Sequence, residues 1–137
     1  MYEPMLLRDR PVAAQIVAGG VLPAIAGGIA GVLVGASVPA YWAWAVVAAI
    51  GGFLAGFEHL DGWGGADRGL AAGAIYGAAL LIAHAIAGTH AKVSLGSFPP
   101  FLIVITAIAG MLVSASGGKI ARLQRERAQA RATVPAD

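Results

Sequence analysis

The chain has 137 residues, 58% hydrophobic and 12% charged, where an average soluble domain carries ~25% charged residues. It has no cysteine, which excludes disulfides, thiolate metal sites and a cysteine nucleophile. A net charge of +2 hides an uneven spread, with five cations crowded near the C-terminus.

Three runs carry no Asp, Glu, Lys or Arg: Pro11–Phe57, Gly69–Ala91 and Val93–Gly118. A charged side chain at the centre of a membrane helix costs about 2.5–3.5 kcal/mol on insertion scales, so such runs suit a hydrocarbon solvent. The expected fold is all-α: a polytopic membrane bundle of four transmembrane helices followed by a short basic cytoplasmic helix. Residues 1–118 form the membrane domain and 119–137 the tail.

The first span is expected at 11–34, with Pro23 kinking it. Arg8 and Arg10 before an apolar stretch resemble the start of a signal peptide, but Val12–Val34 is too long for that role. Gly35–Pro39 breaks the run. The second span, 40–57, opens with Tyr41, Trp42 and Trp44, where an interfacial aromatic belt belongs. Glu58–Arg68 reads as a polar, glycine-broken connection, with Asp67 placed to cap the next helix. The third span is expected at 68–88. A second connection, Thr89–Ser97, contains Lys92, and the fourth span covers 98–116. Gly117-Gly118 permits a bend before the basic helix Lys119–Ala132, and Thr133–Asp137 is expected to fray.

Four spans place both termini on one side. That side carries eight Lys and Arg, and the other carries Lys92 alone. The positive-inside rule then puts both termini in the cytoplasm of a multi-pass plasma-membrane protein. Lys119, Arg122, Arg125, Arg127 and Arg131 are expected to meet anionic lipid headgroups rather than nucleic acid.

Glycines recur every four residues: Gly27, Gly31, Gly35; Gly52, Gly56; Gly69, Gly73, Gly77; and Gly110, Ser114, Gly118. This glycine-zipper spacing gives each helix a flat stripe on which another backbone can rest. Ala24-Ile25-Ala26-Gly27 returns as Ala85-Ile86-Ala87-Gly88, and Gly35 and Pro39 find Gly96 and Pro100 at the same offset of 61. A duplicated hairpin and chance matching in so small an alphabet both account for this.

Chemistry-bearing residues are few. His84 lies within a span, with Thr106 as a candidate partner, and intramembrane ionisable groups invite a functional hypothesis. The expected role is nonetheless that of a neutral imidazole satisfied by a neighbouring carbonyl or by Thr106 across a helix interface, because no span holds an acid to complete a proton relay. Glu58, His59, Asp61 and Asp67 share one connection, but their spacing fits no metal motif, and no metal or cofactor is expected. His84 and His90 are six apart and fall on different helix faces.

Gly51-Gly52-Phe53-Leu54-Ala55-Gly56 before an acidic-glycine connection, then Arg68-Gly69-Leu70-Ala71-Ala72-Gly73-Ala74, then Gly117-Gly118 and a basic tail, resembles small glycine-rich four-helix membrane proteins of archaea and bacteria. The resemblance implies the fold and supplies no activity or functional residue. Small fluoride channels share the helix count, but this chain has no Asn for their pore motifs. Small multidrug transporters need an acid in the first helix, where this chain has Gln15. The expected function is a non-enzymatic membrane scaffold or accessory subunit, working with a second copy or another membrane protein. The alternative is a small oligomeric transporter or channel.

Overall fold

The computed structural model describes residues 6–132. The fraying expected of Thr133–Asp137 lies outside them. Among the described residues there is no strand. A 3₁₀ turn at Leu7–Asp9 leads into four helices: α1 Val12–Ala36, α2 Val38–Gly56, α3 Gly62–Ala87 and α4 Phe101–Ala132. Each is long and apolar enough to cross a membrane.

Pro23 has no N–H, and in an α-helix its ring collides with the carbonyl four residues back. α1 answers with a π-helical turn at Val17–Val21, in which the Leu22 N–H donates to the Val17 carbonyl. The disturbance expected at Pro23 thus takes the form of a widened turn. A single extended residue, Ser37, separates α1 from α2, and its Oγ accepts from the Ala40 N–H at 3.4 Å.

The connection from α2 to α3 is shorter than the sequence suggests. Gly62, Gly64 and Gly65 lie inside α3, and its N-cap is Asp61, not Asp67. Asp61 Oδ1 accepts from the Gly64 N–H at 2.9 Å, while Asp67 lies exposed within the helix. Glycine costs about 1 kcal/mol in a helix interior, which argues against helix here. Tertiary packing reverses the preference: a Cβ on Gly65 would stand 3.1 Å from the Ser114 carbonyl carbon, and one on Gly62 would stand 3.3 Å from the Ala115 carbonyl oxygen.

Gly88, at φ 63°, ends α3, and its N–H donates to the His84 carbonyl. In the segment that follows, Lys92 binds the end of α1. Its N–H donates to the Val34 carbonyl (2.9 Å) and its Nζ to the Ala36 carbonyl (2.8 Å). A cation there also suits the negative end of the helix dipole. α4 begins at Phe101, because Pro99 and Pro100 form the turn before it. It runs unbroken through Gly117-Gly118 to Ala132, so the basic stretch is the end of α4, not a separate helix.

α3 lies between α1 and α4 and makes the most extensive contacts with both. α2 closes the bundle along α4 and, more lightly, α1. Only Gly56 of α2 is buried. Ala30, Val34 and Leu80 form the side-chain core, flanked by Tyr41, Trp44, Tyr76, Leu81, Leu95 and Leu102. Trp44 Nε1 donates to the Ala26 carbonyl at 2.9 Å, tying α2 to α1. The outer surface is apolar, including Ile25, Val46, Ile50, Ile82, Ile108 and Leu112. Both ends of the described chain lie at one end of the bundle: Leu7 N–H donates to the Glu58 carbonyl, and Arg125 reaches Phe57 and His59.

Candidate functional site

Two features distinguish the interior: helices that touch backbone to backbone, and a charged cluster at the end holding both described termini. The first begins with α1 on α3. Gly27, Gly31 and Gly35 face the Tyr76 carbonyl, the Leu80 carbonyl and the Thr89 side chain. A Cβ on Gly31 would come within 2.9 Å of both Ala83 Cβ and His84 N. On the other side of α3, Gly69, Gly73 and Gly77 face Gly110, Thr106 and Ile103 of α4. Gly110 returns the contact onto Gly69 and Gly73, and Gly118 rests on Asp61 and Gly62. Gly56 and Gly117 face each other where α2 meets α4.

Gly52 is different. The nearest atom to a Cβ there would be Val113 Cγ1 at 3.6 Å, an ordinary contact, so the Gly52 position does not require glycine. Gly65 and Gly117 also stand at close approaches, although neither is among the glycines named from the sequence. Gly65 lies four residues before Gly69 and extends its series, and Gly117 adjoins Gly118, which is the signal available in the sequence. Ser114 is buried, and its Oγ has no hydrogen-bond partner among the described residues.

His84 and Thr106 are not brought together as a polar pair. Thr106 Oγ1 bonds within its own helix, to the Leu102 (3.0 Å) and Ile103 (3.1 Å) carbonyls. A β-hydroxyl one turn along finds those carbonyls more readily than a partner on another helix. His84 Nδ1 is buried without a hydrogen-bond partner among the described residues.

The charged cluster centres on Glu58. Its Oε2 accepts from Arg68 Nη1 at 2.6 Å, and its Oε1 forms an ion pair with Arg10 Nη2 at 2.9 Å. The Arg68 side chain is only 12% exposed, and its Nη2 donates to the Ala18 carbonyl at 3.2 Å. Arg125 donates to the His59 (3.0 Å) and Phe57 (3.1 Å) carbonyls just after α2. Burial, followed by the Arg68 charge, holds the His59 imidazole below its ordinary range, against the opposite pull of Glu58 and Asp61. No group of three or more metal-ligating side chains assembles among the described residues.

Of the five cations expected on lipid, Arg125 is turned onto backbone carbonyls, and Arg122 pairs with Glu126 one turn along (2.7 Å). Lys119, Arg127 and Arg131 are exposed. Two shallow clefts of about 210 and 260 Å³ lie at opposite ends, one against Phe57 and Arg125, the other against Ser94–Ile105. Neither is lined by a glycine of the helix contacts.

Fold and site together define a class: an all-helical bundle with four helices long and apolar enough to cross a membrane, closed by glycine contacts. No protein-family model, curated protein or solved structure matches the chain.

Proposed function

We propose that this chain is a non-enzymatic membrane scaffold or accessory subunit, crossing the plasma membrane four times with both termini in the cytoplasm. The observation that carries the reading is the manner of closure. Along α3, backbone lies on backbone from Gly69 to Leu80, leaving little room for a solute. Outside, apolar side chains ring the bundle and suit lipid or another membrane protein. The exposed Lys119, Arg127 and Arg131 would meet anionic headgroups on the cytoplasmic face. Its partner is a second copy or another membrane protein.

Native mass spectrometry from mild detergent tests this. The expected spectrum shows a fixed homo-oligomer or a stoichiometric membrane-protein companion. A bare monomer would contradict it. One observation favours the transporter reading: the buried, unpartnered Nδ1 of His84. Proton flux in proteoliposomes, present in wild type and lost in His84→Ala, would select that alternative.

A further inference from the structure

We propose that α1 is a hinged helix and that Arg68 is its latch. In the π register of Val17–Val21, the Ala18 carbonyl faces the nitrogen of residue 23. That residue is Pro23, which has no hydrogen to donate. The carbonyl is therefore orphaned by the sequence of α1 itself. Arg68 fills the vacancy from 50 residues away, its Nη2 donating at 3.2 Å. The guanidinium stands in for the amide that proline lacks.

The latch is itself held. Glu58 grips the other arm of Arg68 at 2.6 Å and also pairs with Arg10, two residues before the first residue of α1. Val12–Val21 is thus tied to one carboxylate at two places, at Arg10 just before it and through Arg68 at Ala18 within it. Apart from these ties the segment is thinly packed. Val12, Ile16, Val17 and Val21 are exposed, and a Cβ on Gly19 or Gly20 would meet nothing within 4 Å. Tight packing begins only after Pro23, where Gly27 lies on Tyr76. A loose half, a tight half and a proline between them make a hinge. With the latch open, Val12–Val21 swings about Pro23 while Leu22–Ala36 stays on α3.

The absence of cysteine allows clean labelling with nitroxides at Val12 and Leu112, both exposed. Distances are read in nanodiscs for wild type, Arg68→Met, Pro23→Ala and the double variant. Wild type should give one narrow distribution. Arg68→Met should raise the population outside it about tenfold, the scale expected when a hydrogen bond from a charged donor is lost. The double variant should return most of the way to wild type, because the alanine introduced in place of Pro23 supplies the missing N–H. Equal broadening in Arg68→Met and in the double variant, or no broadening in Arg68→Met, would overturn the proposal. If Arg68→Met fails to fold, recovery of folding in the double variant supports the latch, and continued failure contradicts it.

Discussion

The smallest side chains decide most at the residue scale. Gly31 and Gly73 face backbone atoms that cannot move aside, so Gly31→Leu or Gly73→Leu should lower stability by roughly 1–3 kcal/mol through overpacking. Gly20→Ala is the control. Its Cβ would meet nothing, and alanine is the better helix former, so the variant should melt at or slightly above wild type. Thermal melts in detergent separate these outcomes. Equal tolerance at all three positions would mean that the close approaches are not what holds the bundle.

The charged residues divide in the same way. Removing Glu58 leaves Arg68, 12% exposed, without its carboxylate, and breaking a buried pair in this way costs on the order of 3 kcal/mol. Glu126, half exposed and facing a solvent-exposed arginine, should be replaceable by Ala with no measurable change in melting. His59 adds a pH dependence. Its folded imidazole binds a proton less readily than the unfolded one, whose ordinary value is 6.5. The stability it contributes is therefore full above that value and declines as pH falls through the depressed folded one. Wild type should lose more melting temperature than His59→Gln between about pH 7 and pH 5. Parallel curves would mean that His59 does not couple folding to pH.

Among the elements, α4 shows how far a helix can be read from its own residues. Its apolar first half follows directly from the uncharged run. Its continuity through Gly117-Gly118 does not, because the reason lies elsewhere: Phe53 and Asp61 present carbonyls to those glycines. The same holds at the start of α3, where a glycine-rich stretch that looks irregular in isolation is kept helical by α4 and the Asp61 cap. Local propensity is legible from the sequence, but contacts between distant segments are not. The Arg10–Glu58–Arg68 cluster joins three such segments, and nothing in their spacing announces it. The end of α4 is likewise tied in, with Ala121 buried and Arg125 on the carbonyls after α2. Arg125→Ala should raise amide exchange across residues 57–61 while leaving the centre of α3 protected. Unchanged exchange there would mean that the tail is not an anchor.

At the scale of the whole molecule, the two kinds of contact work at different places. Large side chains, Leu80 and Val34, fill the centre of the α1–α3 half, while α3 and α4 meet on small residues. The second arrangement gains little from hydrophobic burial and much from close packing, which suits a lipid solvent better than water. Under the proposed four-span reading, the eight-to-one distribution of Lys and Arg would orient that packing in the membrane by the positive-inside rule.

Single-cysteine labelling tests the four-span topology most directly. Cysteines replace Ser94, Trp63 and Gln124 in turn, all exposed in the structure. Intact cells are treated with a membrane-impermeant maleimide before and after permeabilisation. With four spans and cytoplasmic termini, the Ser94 position reacts from outside, and the Trp63 and Gln124 positions react only once the membrane is opened. Labelling of the Trp63 position in intact cells, with the Gln124 position still protected, would contradict that topology.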